Sequence, residues 1–273
     1  MSLSSLKTRT LTGIVFIGVM ISAILIHPYV LTVLFGLIAF SSALEFIKLC
    51  NNKSTFSISK ELTGLMSVLV FVLICSIGYN VLPEQYLWLL LLVLPIQMCV
   101  EMYRKTENSL SNVVGGFFAV AYSTVPFALL SNIRLETVGE VSGAYFILSY
   151  FVLIWIHDTG AYLVGSTFGK HRLFERISPK KSWEGLFGGL TFSLLASYFI
   201  NDYFQFMPML NWLILILIII ITANFGDLAE SMLKRNVGVK DSGNILPGHG
   251  GLLDRFDAVL FSAPFVFIYL QLI

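Results

Sequence analysis

Four runs in the C-terminal half of the chain carry residue types that can handle phosphate groups and the metal ions that accompany them. The first is Asp158-Thr-Gly-Ala-Tyr162, where Asp and Tyr stand four residues apart and share one face of a helix. The second is Ser178-Pro-Lys-Lys-Ser-Trp-Glu-Gly185. Its hydroxyls and adjacent lysines, Lys180 and Lys181, precede a helix start whose free N–H groups also favour anions. The third is Asn224-Phe-Gly-Asp-Leu-Ala-Glu-Ser-Met-Leu-Lys-Arg235. Asp227, Glu230, Ser231 and Lys234 recur at helical spacing and form one polar stripe, while Leu228, Met232 and Leu233 lie opposite. The fourth joins Lys240-Asp241, Leu246-Pro-Gly-His-Gly-Gly251 and Asp254-Arg-Phe-Asp257. Its glycines can aim backbone N–H groups at a phosphate, and Asp254 and Asp257 sit one turn apart.

Each run also has a plain structural use. Asp158 could be a hydrogen-bonded residue in a packing face or a proton site. The Lys180–Lys181 pair could anchor a helix end at the membrane surface. The Asp227–Lys234 stripe could hold internal ion pairs, and acids favour helix N-termini in any case. Taken together, the runs supply carboxylates suited to magnesium, cations suited to phosphate oxygens, and a glycine loop. Nucleotidyl or phosphoryl transfer needs this set, because metal and cations offset the charge that two anionic reactants bring together. Other chemistries drop out. Gly165-Ser-Thr-Phe-Gly-Lys170 is one residue short of a P-loop and is followed by His171. His249 has no second His or Cys at zinc-ligand spacing. The cysteines, Cys50, Cys75 and Cys99, read as small apolar residues.

The elements that position these residues must be membrane helices. Of 273 residues, 56% are hydrophobic and 12% charged, with a mean hydropathy of +0.83. That charge fraction is about half the usual value for a soluble domain. Hydropathy predicts nine apolar segments near 10–27, 29–49, 62–80, 84–100, 113–131, 142–166, 184–201, 210–233 and 256–272. Breakers such as His27-Pro28, Asn51-Asn52, Pro83 and Asn201-Asp202 separate them. The fold expected is an all-α polytopic bundle, with residues 1–135 as N-terminal membrane helices and 136–273 as the catalytic region. If the N-terminus is cytoplasmic and nine helices alternate, sixteen of the seventeen Lys and Arg residues fall inside and Arg134 alone outside. All four polar runs then face, or open toward, the cytoplasm. The first half offers mainly ordinary anchors on this reading, such as Glu45 and Lys48.

The run from Ser231 through Lys240-Asp241 and the glycine loop to Asp257 resembles the C-terminal signature of phosphatidate cytidylyltransferases, also called CDP-diacylglycerol synthases. The Asp158–Tyr162 and Ser178–Gly185 segments resemble segments of that family too. The resemblance implies that CTP and phosphatidate give CDP-diacylglycerol and pyrophosphate for phospholipid synthesis at the inner membrane, with the active site facing the cytoplasm. It places magnesium on Asp227 and Asp254, allows a potassium ion beside it, and suggests a homodimer. On this basis Asp227, Asp254, Lys234 and Asp158 are the expected catalytic residues. Ser178, Lys180, Lys181, Ser231, Arg235, Lys240, His249, Gly250, Gly251 and Arg255 are the expected substrate contacts. Tyr162, Glu230, Asp241 and Asp257 would orient them. The phosphate monoester is already largely dianionic at neutral pH, so no essential general base is expected. A CTP-dependent lipid-alcohol kinase and an ion-coupled transporter using Asp158 are the alternatives.

Overall fold

The structure, a computed structural model, describes residues 3–53, 55–243, 245 and 250–273, with side chains from Thr10 onward. Leu246–His249 of the glycine motif lies outside the described residues. The chain divides into two compact units, Met1–Asn132 with Asn236–Phe256, and Ile133–Arg235 with Asp257–Ile273. The segment 236–256 groups with the N-terminal helices.

The first unit contains α1 (Leu3–Ile26), α2 (Pro28–Asn51), α3 (Lys60–Gly78), a 3-10 stretch (Glu84–Leu92) that runs into α4 (Val93–Arg104), and nearly all of α5 (Ser109–Ile133). The breakers act as their chemistry dictates. His27 caps α2 by accepting the Tyr29 N–H, with Pro28 in the first helical position, where its missing donor costs nothing. Ser59 caps α3 by accepting the Leu62 N–H at 3.2 Å. Phe127 fills the centre, its ring 5.4 Å from Phe35 and 5.1 Å from Phe256. Buried Glu101 satisfies Arg104, Thr106 and Asn112 at the α4–α5 turn.

The second unit opens with a short hairpin, β1 (Thr137–Val138) and β2 (Val141–Ser142). It continues through α6 (Gly143–Phe168) and a second hairpin, β3 (Arg172–Phe174) with β4 (Ser178–Ser182), to α7 (Trp183–Phe204). Most of α8 (Met209–Val237) and α9 (Leu253–Leu272) completes it. Trp212 is buried and stacks on Phe206, while its indole N–H donates to the Ser197 carbonyl at 2.9 Å. Tyr150 and Ser262 share a buried hydroxyl hydrogen bond of 2.5 Å.

Each of the nine apolar segments falls on a helical stretch. Among the described residues, six stretches are long and apolar enough to cross a bilayer: α2, α3, Glu84–Arg104, α5, α6 and α8. The apolar part of α1, Thr10–Ile26, is shorter. The other two, α7 and α9, lie outside that set. The eighth segment runs four residues beyond its expected end, so the whole Asp227–Lys234 stripe is helical.

Candidate active site

Small residues bring α6 and α7 together. A methyl added at Gly185 would lie 2.9 Å from the Ala161 carbonyl oxygen and 3.2 Å from Gly165 Cα, closer than packed atoms sit. With no side chain between them, the α6 half that carries Asp158 and Tyr162 lies directly under the start of α7. The β3–β4 hairpin folds over the junction. Arg172 pairs with Ser182, and the Trp183 N–H donates to the His171 carbonyl at 2.9 Å. Glu184 closes the base by accepting the backbone N–H groups of Lys170 and His171, both at 3.1 Å, and by contacting the His171 ring at 2.6 Å. Ser182 caps α7 through the Gly185 N–H. The junction therefore runs from helix to hairpin to helix, and Gly165–Lys170 has no P-loop geometry.

These contacts enclose a cavity of 550 Å³, within the ordinary range for small-molecule sites. Arg172, Lys180 and Lys181 line it on the hairpin side, and Asp158, Tyr162 and Asp227 line it from the helices. Lys181 Nζ is 2.7 Å from Asp227 Oδ2, and the Ser231 hydroxyl donates to Asp227 Oδ1 at 3.3 Å. Asp158 is close enough to feel both Asp227 and Lys181 electrostatically. His157 and Asn224 also line the cavity. Asn224 Nδ2 donates to the Ile220 carbonyl and contacts His157 Nε2, both at 2.8 Å. Since Nδ2 is a donor, Nε2 accepts, and the proton of the neutral ring sits on Nδ1.

Behind Asp227, the polar stripe of α8 turns inward. Glu230 is 1% exposed and holds Lys234 at 2.6 Å. Asp257 on α9 interacts electrostatically with Asp227, Glu230 and Lys234. Gly226 makes this crossing possible, because a methyl there would collide with the Asp257 carbonyl oxygen and lie 2.8 Å from Phe261 Cβ.

In the other unit, Asp254 organises what is described of the glycine loop. Its Oδ2 accepts the Ser242 N–H at 2.9 Å, the Ser242 hydroxyl at 3.0 Å and the Gly251 N–H at 2.9 Å. Gly250 has φ +88°, a conformation open to glycine and strained for other residues.

Of the residues expected from sequence, Asp158, Tyr162, Lys180, Lys181 and Asp227 line one cavity. Ser231, Glu230, Lys234 and Asp257 stand behind Asp227, in direct contact or electrostatic range. Ser178 pairs with Phe174 in the hairpin and is not among the lining residues. Arg235, Lys240, Asp241 and Arg255 are exposed, and His249 lies outside the described residues. The cavity lining also takes in residues given no role from sequence, among them His157, Arg172 and Asn224, the last of which opens the third run. The hairpin register signals Arg172, whereas the His157–Asn224 contact spans 67 positions and leaves no local pattern. Glu45 needs correcting as well. It is a buried contact of the Leu253 N–H rather than an ordinary anchor. Among the described residues, no three His, Cys, Asp or Glu side chains are grouped to hold a metal by themselves.

The sequence matches the cytidylyltransferase family over residues 7–273. It is 35% identical to the phosphatidate cytidylyltransferase of Staphylococcus saprophyticus, over 97% of this chain and 99% of that protein. The proteins of the same name from Staphylococcus epidermidis and Staphylococcus aureus are 33% and 34% identical with the same coverage. A match that runs essentially from end to end takes in the hairpin, the Asp227 stripe and the glycine loop alike, and the chain belongs to the cytidylyltransferase family.

Proposed function

We propose that this protein transfers the cytidylyl group of CTP to phosphatidate, releasing pyrophosphate and forming CDP-diacylglycerol. The observation that carries the reading is the facing arrangement of Arg172, Lys180 and Lys181 against Asp158 and Asp227 in one cavity. End-to-end relatedness to proteins named phosphatidate cytidylyltransferase supports the substrate pair.

A phosphate-monoester oxygen of phosphatidate attacks the α-phosphorus of CTP. The new P–O bond forms as the bond to the β-phosphate bridging oxygen breaks, and that oxygen's electron pair leaves with pyrophosphate. The nucleophile is largely dianionic at neutral pH, so no residue needs to remove a proton. The hairpin cations bind the polyphosphate and offset its charge as the two anions approach. Tyr162, exposed on the cavity wall, orients substrate, and the His157–Asn224 pair fixes the wall beside it. Asp257 and Glu230 hold Lys234 at the rear of Asp227.

On the family resemblance, magnesium would be held by Asp227 and Asp254; such an ion takes one or two carboxylates and completes its shell with water and substrate phosphates. When bound, it neutralises phosphate charge and stabilises the leaving pyrophosphate. In our reading nine helices cross the inner membrane from a cytoplasmic N-terminus, the site opens to the cytoplasm, and the enzyme is a homodimer. The positive-inside distribution of Lys and Arg supports that orientation.

The test uses purified full-length protein with phosphatidate, magnesium and radiolabelled CTP, with Asp227→Asn and Asp254→Asn in parallel. Label should enter the lipid fraction with wild type and with neither variant. CDP release without labelled lipid would indicate a kinase instead. Labelled lipid from both variants would keep the reaction and overturn the assigned carboxylates.

A further inference from the structure

We propose that Glu45, in the N-terminal half of the chain, is a positioning residue for cytidylyl transfer. It fixes Gly243, Gly251 and the first turn of α9, which carries Asp254. The inference rests on the reading of that segment as facing phosphate and metal.

Glu45 lies in α2 with 5% of its surface exposed. One oxygen, Oε2, accepts the Leu253 N–H at 3.0 Å. The other, Oε1, has no hydrogen-bond partner among the described residues. Two glycines close around the carboxylate. A methyl at Gly243 would strike Oε1 and lie 2.8 Å from Cδ, with only Glu45 atoms nearest to it. A methyl at Gly251 would lie 2.5 Å from Oε2 and 2.8 Å from Oε1. Gly243 is therefore shaped to this side chain, and Gly251 to it together with the Ser242 hydroxyl; Glu45 stands 208 positions from Leu253.

An anchor does not require this chemistry. Burying a carboxylate beside the like charge of Asp254 is costly, and a leucine would fill an apolar helix interface without that cost. An ionisable group inside an apolar helix is a functional hypothesis by default. The geometry indicates the use. Leu253 is the first residue of α9, and its N–H is one of the donors that a helix start leaves unsatisfied. A first-turn acid such as Asp254 would ordinarily turn back on such donors. Glu45 takes the Leu253 N–H, which leaves Asp254 Oδ2 to turn back on the Gly251 N–H and reach across to Ser242. Glu45 thus sets the direction in which Asp254 is presented.

The experiment compares Glu45→Ala, Glu45→Gln, Gly243→Ala and the Glu45→Ala/Gly243→Ala double variant in full-length enzyme, with Asp254→Asn as reference. Glu45→Ala should lower kcat by about tenfold or more, the size of a lost charge-assisted hydrogen bond. The KM values for CTP and phosphatidate should stay within about twofold. Glu45→Gln retains an acceptor for the Leu253 N–H and should recover most of kcat. Gly243→Ala should impair the enzyme alone, and the double variant should do better than the product of the single effects. Hydrogen exchange should rise in the peptide around Leu253 in Glu45→Ala and not elsewhere. Unchanged kcat in folded Glu45→Ala, a loss confined to KM, or Glu45→Gln as impaired as Glu45→Ala would each overturn the proposal. If Glu45→Ala does not fold, Glu45→Gln and Gly243→Ala decide: an active Gln variant with an impaired Gly243→Ala supports it, and any other pairing rejects it. Full activity of Asp254→Asn would remove the underlying reading of the loop itself.

Discussion

Replacing Lys181 by glutamine should separate a charge used in chemistry from one used in folding. Lys181 Nζ sits 2.7 Å from Asp227 Oδ2, with the two side chains 24% and 40% exposed. At that exposure solvent screens the pair, so its loss should cost the fold less than about 1 kcal/mol. A lysine that donates to a substrate phosphate contributes more, since a hydrogen bond to a charged group is worth about 1.5–3 kcal/mol. At about 1.4 kcal/mol per decade of rate, Lys181→Gln should lower kcat/KM roughly ten- to a hundredfold. Lys181→Arg should recover only part of this, because the planar guanidinium approaches a phosphate differently from an ammonium. The assay is initial-rate conversion of radiolabelled CTP to labelled lipid in nanodiscs, with thermal unfolding of the same samples. Lys181→Gln retaining kcat/KM within about twofold would refute the phosphate role, since that change is smaller than the weakest such bond. A loss of activity that followed a lowered melting temperature would refute it equally.

Two further substitutions should act mainly on the fold. Lys234→Met removes the cation 2.6 Å from the buried carboxylate of Glu230 and should destabilise by about 3–5 kcal/mol; adding Glu230→Leu should restore much of the lost melting temperature, and a single variant as stable as wild type would show the pair to be solvated. Gly226→Ala drives a methyl into the Asp257 backbone carbonyl and against Phe261, and should cost about 1–3 kcal/mol with a matching fall in expressed, folded protein by size-exclusion chromatography.

Much of this architecture follows from local pattern. Apolar runs of helix length and breakers such as His27-Pro28 set helix positions within a few residues, because short-range hydrogen bonding and burial decide them. The grouping of Asp158, Tyr162, Lys180, Lys181 and Asp227 was also within reach, since each belongs to a polar run in an apolar context. What the sequence hid depends on distant chain. Glu45 looks like any acid near the end of a membrane helix, and nothing within ten residues of it announces Leu253. His157 reads as an isolated imidazole until Asn224 is brought beside it. The assignment of 236–256 to the N-terminal unit is hidden for the same reason: segments group by three-dimensional packing, and hydropathy reports only local character.

The tied base of the β3–β4 hairpin has a consequence for anyone wishing to watch this protein work. Its ends are fixed by the Arg172–Ser182 pairing, the Trp183 N–H and the Glu184 carboxylate, so closure of the loop does not depend on its tip. Glu175 and Arg176 at the tip are exposed, and lengthening a loop closed elsewhere changes its entropy only slowly. A dye or short epitope installed there would travel with the strand that bears Lys180 and Lys181 and leave the cavity wall intact. The hairpin is thus a ready-made handle for optical readout, a few residues from the lysines that line the cavity.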